Sequence, residues 1–225
     1  MNETSKSKKV WGSLENSIVE GQGIDIGCGP DPVRPDVRRF DWTEGDANRI
    51  TEYVHEQFDY VFSSHCLEHM HQPRKAILEW WSLVRPGGHL MFIVPDEDLY
   101  EQGVFPSRFN PDHKATFTLD AKKSWSPVSV HVPDLAASLP GGELISLTQQ
   151  AQGYDRRLQR YGADIRPPGI LRFLFRVYHG LRRRGLFRLS WIELWQSRYM
   201  ALDQTTRDDV LAQIQCIVRK KPAAT

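Results

Sequence analysis

The stretch Gly23-Ile24-Asp25-Ile26-Gly27-Cys28-Gly29-Pro30 decides the fold. Ile24 and Ile26 read as the end of a short buried strand, Asp25 puts a carboxylate at that end, and Gly27 and Gly29 remove side chains where the backbone turns tightly. A turn without Cβ atoms after a parallel strand lets a ligand approach the main chain closely. Glycine-rich turns also serve plain packing, so this run takes its meaning from the residues C-terminal to it.

Pro30-Asp-Pro-Val-Arg-Pro35 cannot form an ordinary helix, because each proline removes a donor and restricts its neighbour. A second strand, Val37 to Trp42, carries Asp41 near its end. Only eleven residues separate Gly29 from Asp41, too few for a full crossover helix. Gly45-Asp46-Ala47 is a second acidic turn. Phe58 to Ser64 is a β-branched and aromatic strand ending in two hydroxyls, followed by His65-Cys-Leu-Glu-His-Met70. From Gln72 to Val84, Ile77, Trp80, Trp81 and Val84 recur at helical spacing, and Arg85-Pro-Gly-Gly88 stops the helix. His89 to Val94 is a buried strand that ends at Pro95-Asp96. Strands alternate with helical segments, and acids or hydroxyls stand at strand ends. This predicts an α/β, Rossmann-like, doubly wound and mostly parallel sheet, with a ligand beyond the carboxyl ends of its strands.

Residues 97–130 are loop-rich and predict a lid over that edge. Glu143 to Gln149 and Val210 to Lys220 read as the last strands. Between them, residues 151–208 form an insert. From Ala151 to Met200 it holds eleven arginines, no lysine and three acids, a local charge of +8 in a chain of net charge +1. Pro167-Pro168 opens a helix whose apolar face carries Ile170, Leu171, Phe173, Leu174, Val177, Tyr178 and Leu181. Arg182-Arg-Arg184, Trp191 and Trp195 follow.

The chain has 225 residues, of which 40% are hydrophobic and 25% charged, enough for one core and a subdomain. No apolar run approaches the roughly 18 residues of a membrane helix. Residues 1–13 are polar, lack an apolar segment after their lysines, and are expected to be a flexible tail ahead of one domain over 14–225. Three widely spaced cysteines make neither a disulfide framework nor a zinc cluster, which points to a reducing, cytoplasmic compartment.

Ile24-Asp-Ile-Gly-Cys-Gly29, Asp41, Gly45-Asp-Ala47, Phe58-Asp-Tyr-Val-Phe-Ser-Ser-His-Cys-Leu-Glu-His69 and Leu83-Val-Arg-Pro-Gly-Gly88 together resemble class I S-adenosylmethionine-dependent methyltransferases. Within these, Ser63-Ser-His-x-Leu-Glu-His69 with the Pro-Gly-Gly turn and Val94-Pro-Asp96 is similar to small methyltransferase-domain proteins of cell-surface polysaccharide synthesis. The likeness covers roughly residues 20–120 and rests on the order of five motifs. It implies a seven-stranded sheet with the last strand antiparallel. It also implies that the Gly27-Cys28-Gly29 turn opens the backbone to the methionine part of S-adenosylmethionine, with Asp25 near its amino group. Asp41 would take the ribose hydroxyls, Asp36 standing as the alternative acid. Asp46 and the Ala47 amide would take the adenine, and Ser63, Ser64 and His65 would line the floor under the sulfonium.

The resemblance makes the reaction a methyl transfer, and the sugar or glycan acceptor follows from it alone. A hydroxyl acceptor needs a base; His65, Glu68, His69, His71, Asp96 and His113 are the candidates at the mouth. His113 or His65 is the favoured base, with Asp96 as orienter or substrate ligand. The alternatives are structural: His65 and Glu68 as helix caps, His69 and His71 as solvated residues, His113 as a loop residue. Cys28 and Cys66 read as small packing residues. The His/Glu spacing matches no firm metal pattern, so no metal is expected, and a divalent ion at that cluster is the lesser reading.

The arginine-rich insert has three readings. It is a helical cover with solvated arginines, a peripheral membrane contact through 167–198 at the inner face, or a site for a phosphorylated acceptor. Nothing resembles a nucleic-acid-binding motif. Two rival functions remain. One is a nicotinamide-dependent oxidoreductase, disfavoured because position 32 is proline where a third glycine would stand. The other is a non-catalytic cofactor-binding partner subunit.

Overall fold

Strand β1 (Gly23–Ile26) is buried at every residue and lies between two parallel neighbours. These are β2 (Arg38–Phe40) and β3 (Phe58–Ser64), and β4 (Val84–Pro95) extends the parallel set from β3. Strands β5 (Thr116–Thr118) and β6 (Ser129–His131) pair separately, β7 (Gly142–Gln150) is an edge, and β8 (Gln213–Lys220) runs antiparallel between β4 and β7. The main sheet has the order β2-β1-β3-β4-β8-β7 in this computed structural model, which describes residues 2–183 and 190–222.

Alternation along the strands divides the core in two. Leu90, Phe92 and Val94 of β4 join Ile214, Cys216 and Val218 of β8 on one face, together with Ile77 and Trp80 of the helix Pro73–Ser82. Met91, Ile93 and Ile217 point to the other face, where Ile18, Val33 and Val37 cover them. Val33 and Val37 belong to the proline-rich crossover, so an irregular loop packs where a crossover helix would otherwise lie. No helix forms between β1 and β2, as the short spacing predicts.

The main sheet has six strands, not seven, among the described residues. Between β2 and β3 the chain turns at Ala47–Glu52, a 3₁₀ segment capped by the Asp46 side chain. Ile50 and Val54 from this stretch are fully buried in the core beside the Pro73–Ser82 helix. Those side chains anchor the stretch to the helix layer, so β2 is left as the outer edge. The antiparallel last strand is present as expected.

Two further segments are ordered. Residues 1–13 are not a loose tail: Glu3–Lys8 (α1) and Ser13–Ile18 (α2) are helices, and Ser7 is fully buried. Lys6 Nζ donates to the Thr205 carbonyl at 2.8 Å, and Gln213 Nε2 donates to Ser7 Oγ at 2.8 Å. Polar contacts join the packing of Trp11 on Phe62 to dock this segment, and hydropathy cannot see the polar part. Residues 97–130 are likewise a built wall, with Phe117 in the main core. Glu97 sits at its centre, 1% exposed, and accepts hydrogen bonds from Thr116 and Ser129 at 3.0 and 2.6 Å.

The remaining helices are α3 (Pro73–Ser82), α4 (Val132–Ala137), α5 (Gly169–Arg183) and α6 (Ser190–Gln196). Leu171, Phe175 and Tyr178 of α5 are buried, whereas Ile170, Phe173, Leu174 and Val177 are exposed, as are Trp191 and Trp195 of α6. The apolar face drawn from the sequence is therefore split. Arg184 and the side chains of Arg182 and Arg183 lie outside the described residues.

Candidate active site

The carboxyl ends of β1, β2 and β3 open onto a cleft of about 650 Å³. Gly27 forms its floor, Phe40, Asp41 and Trp42 one wall, and Asp46, Ala47 and Tyr53 the far end. Gly27 has a left-handed φ of 76°, and a Cβ there would lie 2.5 Å from the Cβ of Cys66. Only glycine keeps that floor flat. Asp41 holds the turn from across the strand gap: its Oδ2 accepts from the Gly29 amide at 2.7 Å and its Oδ1 from the Trp42 amide at 2.8 Å. Asp36 pairs with Arg34 at the surface and does not reach the cleft. Asp46 accepts from the backbone and side chain of Asn48, and these bonds hold its carboxyl below the usual range.

The other residues assigned by resemblance sit beneath this surface. Asp25 is fully buried, its Oδ2 accepting from the Val33 amide at 2.7 Å and its Oδ1 without a partner. Burial raises its pKa to about 7, against the lowering effect of the Val33 bond. Ser63 donates to the Ile26 carbonyl at 2.9 Å, and neither Ser63 nor Ser64 lines the cleft. Cys28 and Gly29 form the turn behind it, and burial raises the Cys28 thiol further from ionisation.

A second cavity of about 130 Å³ lies deeper, between β3 and the wall 97–113. His65 and His69 line both spaces. His65 follows β3 directly and has a left-handed φ of 54°, an uncommon conformation for a residue with a Cβ. Its Nε2 lies 3.0 Å from Gln213 Oε1, and its Nδ1 lies 3.4 Å from Glu68 Oε1. Burial opposes charge on this ring, but the Glu68 carboxylate outweighs it and raises the His65 pKa. Neither residue caps the turn that follows, whose N-cap, Cys66, has no side-chain hydrogen bond.

His113 reaches the inner cavity from the wall. Its Nδ1 is 2.7 Å from Glu101 Oε1, with both side chains buried. Its ring packs on Tyr100 and against His69, with centroids 5.3 and 5.1 Å apart. Asp96 is not available as orienter. Its Oδ1 caps Asp98 and Leu99, its Oδ2 accepts from Gln149 at 2.6 Å, and it lines neither space. The residue ends a strand, but its lone pairs are committed to the next turn. His71 is exposed and lines neither space.

Sequence reasoning missed Trp42, Tyr53, Met70 and Asp112 in the cleft, and Glu3, Tyr100, Glu101 and Gln213 around the inner cavity. Trp42 directly follows a strand-end acid, which is a usable signal. Glu101 and Gln213 carry none, since each meets its histidine only through the folded chain.

Residues 30–92 match the family model described as a methyltransferase domain. The match covers 63 of the chain's 225 residues. The cofactor of this chain is S-adenosylmethionine. The cleft exposes the main chain at Gly27 and two carboxylates, Asp41 and Asp46. Among solved structures, the chain is similar to a SAM-dependent methyltransferase from Archaeoglobus fulgidus, at 13% identity and a TM-score of 0.46 over 98% of this chain and 95% of that one. It is also similar to phosphoethanolamine N-methyltransferase 2 of Haemonchus contortus, at 15% identity and a TM-score of 0.44 over 93% of this chain and 51% of that one. No curated protein matches the chain.

Proposed function

We propose that this methyltransferase domain transfers a methyl group to a hydroxyl of a sugar or glycan intermediate. The observation that carries the reading is the meeting of two spaces at His65 and His69. The outer cleft suits the cofactor, with Asp41 and Asp46 for its ribose and adenine. The inner cavity is walled by polar groups, among them Glu3, Asn110, Thr205 and Gln213, and suits a polyhydroxyl acceptor. When bound, the cofactor supplies an electrophilic methyl group. The protein holds the acceptor oxygen within about 3–3.5 Å of it, and His65, at the junction, takes the hydroxyl proton.

The test is release of S-adenosylhomocysteine in the presence of a panel of nucleotide sugars and simple glycosides. Turnover with a hydroxyl acceptor, lowered about 10²–10⁴-fold in His65→Gln, is the expected result. Turnover with amines or thiols and none with hydroxyls would overturn the acceptor class.

We also propose that α5 and α6 rest on an anionic membrane surface. Ile170, Phe173, Leu174, Trp191 and Trp195 are exposed together with Arg166, Arg172 and Arg176, the combination that favours the interface. Among the described residues no helix is long and apolar enough to cross a membrane.

A further inference from the structure

We propose that Glu68, His69 and His113 form a binding site for a divalent first-row transition-metal ion in the inner cavity. One donor atom from each of the three lies within 4.8 Å of the others. Donors on one ion at roughly 2.1 Å are at most about 4.2 Å apart, so loading draws the set together by about half an ångström.

Glu68 makes the strongest demand for a cation. It is 1% exposed, and neither carboxylate oxygen has a hydrogen bond. The charge nearest to it is His65 Nδ1, 3.4 Å from Oε1. A buried carboxylate without donors is costly, and one imidazole at that distance answers only one of its two oxygens. Glu68 is also where the wall is fastened: its backbone carbonyl accepts from the amides of Lys114 and Ala115 at 2.7 and 3.3 Å, which brings His113 beside it.

Each of the two imidazoles has a carboxylate at one ring nitrogen. Glu101 takes Nδ1 of His113 at 2.7 Å, and Asp112 lies 3.0 Å from Nδ1 of His69. Each contact leaves Nε2 as the free lone pair, and a carboxylate behind an imidazole raises its basicity toward an ion. Two imidazoles and one carboxylate favour ions such as Fe²⁺, Mn²⁺, Co²⁺ or Zn²⁺ over Mg²⁺ and Ca²⁺, which prefer oxygen throughout. Three ligands leave open positions, and in the acceptor reading of this cavity, on which this role rests, one of them holds the acceptor hydroxyl. His113 is then a ligand, and the proton-accepting role stays with His65.

The experiment titrates chelator-treated protein with Co²⁺ and Zn²⁺ by calorimetry and visible absorption, alongside S-adenosylhomocysteine as a check on the folded cleft. One equivalent should bind at micromolar concentration or tighter, with Co²⁺ giving visible bands of histidine ligation. Glu68→Gln and His113→Gln should each weaken binding about 100-fold or more, and Glu101→Gln about 10–100-fold, with S-adenosylhomocysteine affinity kept. If Glu68→Gln fails to fold, His113→Gln decides. No metal binding by the unaltered chain, or binding that survives both ligand substitutions, overturns the site. Metal binding without transfer to any hydroxyl supports the site and overturns the acceptor reading. Full transfer activity after chelation overturns the role of the ion in the reaction.

Discussion

Gly27 faces Cys66 so closely that a Cβ on Gly27 would lie 2.5 Å from the Cys66 Cβ and 2.6 Å from its sulfur. The φ of 76° at Gly27 adds backbone strain for any other residue. Gly27→Ala is expected to cost about 1–3 kcal/mol of stability and to block the cleft floor. Gly87, with a φ of 84° and open space where its Cβ would be, is the control. Gly87→Ala should cost about 1 kcal/mol and leave cofactor affinity unchanged. Denaturant unfolding and S-adenosylhomocysteine titration of the two variants check both halves.

Asp25 holds its proton more tightly folded than unfolded, because burial raises its pKa from 3.8 to about 7. The folded chain therefore binds more protons than the unfolded one between those values. Its contribution to stability is best below about pH 4, falls as pH rises to about 7, and is level beyond that. The full penalty is on the order of 4 kcal/mol. Asp25→Asn keeps an acceptor for the Val33 amide and removes the ionisation. Its stability should lose this slope, and an unchanged slope in unfolding measured across pH 4 to 8 would refute the assignment.

Asp41 ties the Gly29 and Trp42 amides with its two oxygens, at 2.7 and 2.8 Å. Asp41→Ala leaves both donors without that partner and takes a carboxylate from the cleft. Cofactor affinity should fall about 10–100-fold, matching roughly 1–3 kcal/mol for such a loss. Asp36→Ala removes only a surface pair with Arg34, screened by solvent, and should change affinity less than about twofold. Calorimetry on the two variants distinguishes the acids directly.

Trp191 and Trp195 are 61% and 43% exposed and lie on the same insert as the exposed apolar residues of α5. Co-sedimentation with vesicles of anionic phospholipid should capture the chain, and neutral vesicles should not. Replacing both tryptophans by alanine should lower partitioning about 10-fold or more. Indifference of the unaltered chain to anionic vesicles would remove the membrane proposal.

Much of the fold is local in origin and was readable. The β1–glycine-turn–Asp41 order, the 3.6-residue recurrence of Ile77, Trp80 and Trp81, and the alternation in β8 each follow from side chains a few residues apart. So the sheet's parallel core could be drawn from the chain itself, while the antiparallel last strand and the residues Gly27, Asp41, Asp46, Ala47 and His65, which line the cleft, were singled out by the resemblance. The resemblance implied roles for Asp25, Ser63 and Ser64, but position along a strand does not say which way a side-chain oxygen is spent, and the Asp96 oxygens cap the next turn and accept from Gln149. Only the tertiary structure decided that α1 docks and that His65 meets Gln213, 148 residues away. The physical reason is that a periodic pattern specifies which face of an element is apolar. The pairing of buried polar groups depends instead on contacts between distant segments, and no local pattern records those.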